Sequence, residues 1–218
     1  MNDLVTLIGT RLPRTVASWF PDVTFRVPTE ERVAYLTFDD GPNDGLTQHL
    51  LSILERHDAR ASFFLVGSNV QRHPALVRRL VEEGHAVGNH TFSHVDAWRT
   101  PAAEVIRELD QATGVLEDVL GTAVPRLRPP YGRFTPAMRD WCRRRGQIMT
   151  MWDLGTGDYL ERVSRSHVVR HVESFIRPGT VIVLHDNTCC ADTTPEAVDA
   201  MLAAMTAEGW RFEPLPDG

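Results

Sequence analysis

The 218-residue sequence predicts an α/β fold: a parallel sheet curled into a closed or nearly closed (β/α) barrel, with helices outside. Three observations predict it. Short apolar runs alternate about seven times with longer segments whose apolar residues fall three and four apart. The runs are almost continuously apolar, as strands buried on both faces are. Glycines and Thr-Pro pairs punctuate the junctions, the glycines as helix C-caps and the threonines as N-caps. A doubly wound open sheet is the alternative arrangement of the same elements.

In chain order, "RVAYLTF" (32–38) reads as the first strand, with a helix from near Gly45. "ASFFLV" (61–66) is the second, followed by a helix from near Arg72 that Gly84 ends. "HAVG" (85–88) is the third, and Thr100-Pro101 starts a helix closed by Gly121. "AVPRLR" (123–128) is the fourth, with a helix from Thr135-Pro136 to Gly146. "QIMTMW" (147–152) is the fifth, and Val168, Val172, Phe175 and Ile176 mark the inner face of a helix from near Ser164 that Gly179 follows. "TVIVLH" (180–185) is the sixth, with a helix from Thr194-Pro195 to Gly209, and "WRFEP" (210–214) is the last strand. Residues 1–30 read as an extension packed on the outside, and residues 31–218 as one domain.

Composition narrows the function. With 23 Lys and Arg against 29 Asp and Glu, the net charge of −6 argues against nucleic acid or an anionic membrane as partner. A neutral polymer such as a polysaccharide stays open. No run is long enough to span a bilayer. Asp3, Arg11, Pro13 and Arg14 break the pattern of a signal peptide. Cys142, Cys189 and Cys190 do not form a disulfide framework, which also favours a reducing compartment. The expectation is therefore a cytoplasmic monomer, or a secreted protein if the sequence is a trimmed piece.

The unusual polar residues fall just past the C-terminal ends of different strands, the rim on which β/α folds build sites. Asp39-Asp40 follows the first strand, His90 and His94 the third, Arg128 the fourth, Asp153 and Asp158 the fifth, and His185-Asp186 the sixth. Two imidazoles four residues apart can aim at one ion, and a carboxylate from another strand would complete a set that leaves one position open. Adjacent residues at a strand end point to opposite sides, so Asp39 and Asp40 can serve different tasks. Trp98 is either a sugar-stacking platform at the rim or a loop-closing residue.

"TFDDG" (37–41), "HTFSH" (90–94), "RPPYG" (128–132) and "VLHD" (183–186) stand in an order and spacing that resembles the polysaccharide deacetylase family, the NodB-homology domain of carbohydrate esterase family four. The resemblance runs from about Arg32 to Trp210. It implies a distorted, TIM-barrel-like (β/α) barrel that binds one divalent metal through Asp40, His90 and His94. Zinc is the usual ion; Co2+, Mn2+ and Ni2+ are alternatives. It further implies Asp39 as general base and His185 as general acid, with Arg128 keeping Asp39 charged and Asp158 orienting Arg128. Pro130 and Tyr131 would contact substrate, a backbone N–H near Tyr131 meeting the oxyanion, while Tyr159 and Val183 line the acyl pocket.

The sequence departs from the family in "GTGDY" (155–159), where Gly155 replaces an acid and Tyr159 the usual Trp, with Asp153 as a substitute charge. The function implied is removal of N-acetyl groups from N-acetylglucosamine in a chitin-like, chitooligosaccharide or peptidoglycan-type carbohydrate. Rival readings are an O-acetyl esterase on xylan, a binding protein that has lost catalysis, and a small-metabolite amidase.

Overall fold

The computed structural model describes residues 17–217. Eight parallel strands form one curled sheet: β1 (Val23–Thr24), β2 (Val33–Asp39), β3 (Ala61–Leu65), β4 (Ala86–Asn89), β5 (Arg126–Leu127), β6 (Ile148–Thr150), β7 (Leu154–Gly155) and β8 (Val181–His185). Their spatial order is β1-β6-β5-β4-β3-β2-β8-β7, and β9 (Arg211–Phe212) adds a short parallel ladder to the start of β2. No ladder joins β7 to β1 among the described residues, so the barrel is distorted and open along that seam.

Among the described residues the helices that follow the strands are α1 (Leu46–Arg56), α2 (Gly67–Arg72), α3 (Pro74–Glu82), α4 (Ala102–Leu120), α5 (Pro136–Arg145), α6 (Arg165–Phe175) and α7 (Thr194–Ala207). None among the described residues is long and apolar enough to cross a membrane.

All seven residues of β2 are buried, and their alternation separates two environments. Ala34, Leu36 and Phe38 join the main core, beneath Leu50, Leu51 and Leu54 of α1 and Met201 and Leu202 of α7. Each buried Leu, Phe or Met among them contributes about 1.5–3 kcal/mol by leaving water. Tyr35 packs with Phe64, Val181 and Leu215 in a separate cluster, and Thr37 and Asp39 follow it on the same face of the strand. The polar residues of the site thus occupy the strand face that does not carry the helix-packed core.

The structure corrects the sequence reading in several places. β1 and β7 were not expected: each has only two residues, too few for an alternation to be read. Of the segment expected as an outer extension, residues 1–16 lie outside the described residues, and Val23–Thr24 pairs with Met149–Thr150 at the sheet edge. A short helix, α2, precedes the helix expected from Arg72. Gly121 ends α4 in the left-handed conformation, φ 70°, as expected of a C-cap. Thr135 caps α5 through the N–H of Met138. Thr100 and Thr194 do not cap: α4 has Pro101 at its cap position, and the Thr194 hydroxyl donates to Asp158 Oδ2 at 2.7 Å. A buried hydroxyl gains more from a carboxylate than from a helix N–H.

Candidate active site

Parallel pairing sets the site's layout. Asp39, the last residue of β2, lies opposite Phe64 on one side and His185 on the other. One residue later Asp40 leaves the strand in the left-handed region, φ 78°. Thr91 and His94, in the loop after β4, and Tyr131, after β5, share that strained conformation. Such backbone costs on the order of 1–3 kcal/mol per residue and persists where surrounding structure enforces it.

Asp40, His90 and His94 converge, each offering one atom within 4.8 Å of the others. Asp40 Oδ1 lies 3.0 Å from His94 Nε2 and 3.5 Å from His90 Nε2, and it is buried with no hydrogen bond of its own. His90 Nδ1 is 2.7 Å from the carbonyl of Arg128, which can only accept, so the proton sits on Nδ1 and Nε2 presents a lone pair to the cluster. Burial opposes ionisation of Asp40, but hydrogen bonds from His90 and His94 in their protonated form, with the charges of His90 and His185 adding, outweigh this and hold its carboxyl well below the usual range as long as no ion takes the two Nε2 lone pairs. An orphaned carboxylate oxygen facing two imidazoles, one with its tautomer fixed from behind, fits a divalent cation.

Two charge pairs flank this cluster. Arg128, fully buried, donates from Nη1 to Asp39 Oδ1 and to Thr37 Oγ1, each at 2.7 Å. Its Nε and Nη2 donate to the carbonyls of Thr150 and Met151, and its guanidinium lies 4.1 Å from the Phe64 ring centre. Asp39 Oδ2 is left facing the histidines, 4.0 Å from His90 Nε2. On the other side His185 Nδ1 is 2.8 Å from Asp158 Oδ1, and its backbone N–H donates to Asp158 Oδ2 at 2.8 Å. Burial works against the imidazolium; the Asp158 hydrogen bond and charge, with Asp39 and Asp40 adding, push His185 up to about 9.

Residues 26–149 match the family model for polysaccharide deacetylase. The chain belongs to the polysaccharide deacetylase family. It is 35% identical over 197 residues to a chitooligosaccharide deacetylase of Bradyrhizobium, covering 85% of this chain and 90% of that one. It is 31% identical over 193 residues to a peptidoglycan-N-acetylglucosamine deacetylase of Bacillus cereus, covering 88% and 70%. Among solved structures, a peptidoglycan N-acetylglucosamine deacetylase in complex with 4-naphthalen-1-yl-N-oxidanyl-benzamide superposes with a TM-score of 0.87 at 29% identity, over 94% of this chain and 95% of that one.

Within this polysaccharide deacetylase, one expected pairing is corrected. Asp158 does not orient Arg128; it holds His185 and accepts hydroxyl bonds from Thr156 and Thr194. Strand order explains this, since β7 pairs with β8 and carries the loop of Asp158 to the His185 end of the sheet, whereas Arg128 follows β5. Asp153 does not stand in for the missing acid at Gly155 either. It pairs with Arg177 at 3.1 Å and accepts the N–H of Val181 at 2.9 Å, and burial raises its pKa. Gly155 lies in β7 opposite Val183.

The expected substrate contacts ring the cluster. Pro130 is buried in a 3-10 turn that exposes Tyr131, whose ring meets His94 edge-on at 4.7 Å. Trp98 is 67% exposed and donates its indole N–H to Phe134 O, so it is both an open face and a loop tie. Arg133, paired with Asp96, lies over both the Trp98 and Tyr131 rings. Tyr159 is half exposed and packs edge-on against His185 at 4.9 Å, while Val183 is buried in β8.

Several supporting residues had no role in the sequence reading. Thr37 could have been found, since a period of two puts it on the face of Asp39. Asp186 follows His185 and is fully buried against Thr47 Oγ1. Burial, with the Asp40 charge adding to it against the Thr47 hydrogen bond, pushes its carboxyl up to about 7. Gly41 fits beside it because a Cβ there would lie 2.4 Å from Asp186 Oδ2.

Proposed function

We propose that this chain is a metal-dependent N-deacetylase acting on N-acetylglucosamine in a chitooligosaccharide, chitin or peptidoglycan-type glycan. The observation that carries the reading is the convergence of Asp40, His90 and His94 between two oppositely disposed charge pairs, Arg128–Asp39 and Asp158–His185. The similarity to named chitooligosaccharide and peptidoglycan deacetylases supports the substrate class. A divalent ion, zinc by preference, would be held by Asp40 Oδ1 and the Nε2 atoms of His90 and His94, and would supply Lewis acidity to the attacking water and the acyl oxygen.

The chain's own residues do the rest. Arg128 occupies Asp39 Oδ1, so Oδ2 is the oxygen that accepts the proton of the attacking water. His185 keeps its Nδ1–H on Asp158, which leaves Nε2–H to protonate the departing amine, and its raised pKa keeps it charged at neutral pH. Tyr131, fixed in the left-handed region beside His94, would turn its backbone N–H toward the acyl oxygen. Trp98 offers an exposed aromatic face for a neighbouring sugar ring.

The test is acetate release from N-acetylglucosamine oligomers, acetylated xylan and monomeric N-acetylglucosamine, with chelator and zinc add-back. Release from the oligomers that chelator stops and zinc restores is the expected result. Chelator-insensitive release, or release from xylan or the monomer alone, would sink this reading. His90→Ala is expected to weaken zinc binding by more than about 100-fold, because even outer partners of metal ligands are worth about 10–100-fold. Isothermal titration with zinc reads it directly.

A further inference from the structure

We propose that Asn187, which lies beyond the last sequence motif, is a positioning residue for the Asp40 carboxylate; this rests on the metal-binding reading above. Asn187 Nδ2 donates to Asp40 Oδ2 at 3.1 Å. Oδ2 is the oxygen turned away from the imidazoles, since Oδ1 is the one that His94 and His90 approach at 3.0 and 3.5 Å. The amide therefore ties down the spare oxygen and leaves the other aimed at the ion site.

Asn187 can do this because it is itself fixed. Its Oδ1 accepts the N–H of Cys189 at the start of a 3-10 turn, Thr188–Cys190, and its carbonyl accepts the N–H of Cys190 at 2.8 Å. An NH2 group cannot accept from that N–H, so the amide has one orientation, with its donors toward Asp40. The segment before it is pinned as well: the Asp186 N–H donates to Asp39 O at 2.7 Å, and the Asn43 side chain donates to Asp186 O. The origin of the contact is the sheet register. β8 runs parallel to β2 with His185 opposite Asp39, so the chain leaving β8 runs alongside the turn at Asp40.

A carboxylate free to rotate would present either oxygen and would have to be ordered when the ion arrives. The Asn187 hydrogen bond places that ordering in the fold, the usual effect of an outer partner on a metal ligand.

The experiment measures zinc affinity of the full chain by competition with a chromophoric chelator, and the melting temperature of the metal-free protein, for wild type, Asn187→Ala and Asn187→Ser. Serine retains an acceptor for the Cys189 N–H but is too short to reach Asp40. Both variants are expected to lose about 10–100-fold in zinc affinity, with the serine variant melting as wild type does. Asn187→Ser binding zinc as tightly as wild type overturns the proposal and reduces Asn187 to a cap. Failure of the wild type itself to bind zinc overturns the metal-binding reading, and this inference with it.

Discussion

Asp39→Asn cuts turnover by about 10²–10⁴-fold, the range a positioned general base supplies, while zinc affinity stays close to that of wild type. The substitution keeps the shape of the side chain and an oxygen for Arg128, but an amide cannot take a proton from the attacking water. Zinc affinity survives because in the proposed site the oxygen donor is Asp40, which lies with His90 and His94, while Asp39 is tied to Arg128. Stability does not escape. Arg128 is fully buried and Asp39 is its only side-chain anion among the described residues, so the neutral amide leaves a desolvated cation, and breaking a buried pair costs on the order of 3–5 kcal/mol. Kinetics belong beside a denaturation curve, at a temperature where the variant is folded. Loss of zinc equal to that of His90→Ala would refute the division of labour between the two adjacent acids.

The residues of the candidate site were legible in the sequence where the signal is local. Two histidines four apart can converge whatever the rest of the chain does, but the alternation that would send Asp39 and Asp40 to opposite sides stops at Asp39: Asp40 turns in the left-handed region, and both carboxylates face His90 Nε2, at 4.0 and 3.5 Å. The strands were legible where four apolar residues run together, as in β2, β3 and β8. What could not be read depends on strand order. Asp158 lies thirty residues after Arg128 in "RPPYG", yet the sheet carries it beside His185, because β7 joins the far side of β8. No spacing rule announces that exchange of partners. Thr194 and Asn187 were hidden for a related reason: each has a local use, as a helix start or a turn residue, and acquires its contact with Asp158 or Asp40 only when distant segments meet. β1 and β7 are two residues long and exist as strands because a neighbour supplies the ladder.

The corrected pairing has a consequence that depends on pH. Asp158→Asn moves the basic limb of kcat/KM from about pH 9 to below the ordinary histidine value near 6.5. In the native protein burial disfavours the His185 imidazolium and the Asp158 carboxylate more than compensates, so the acid form persists to about 9. A neutral amide at 158 leaves burial unopposed except for the more distant Asp39 and Asp40. If the proton on His185 is required by the leaving amine, the variant at pH 8 retains only the small protonated fraction, a loss of at least about 30-fold in kcat/KM relative to its own low-pH plateau. Stability follows the same sign. His185 is raised in the folded state, so its contribution is complete below about 6.5 and disappears as pH climbs through about 9. The variant should lack that dependence. Titration of the His185 ring proton by NMR in the metal-free protein separates the electrostatic claim from the kinetic one. An unchanged midpoint in Asp158→Asn would remove Asp158 as the cause, and a shifted midpoint with an unmoved kinetic limb would remove His185 as the acid.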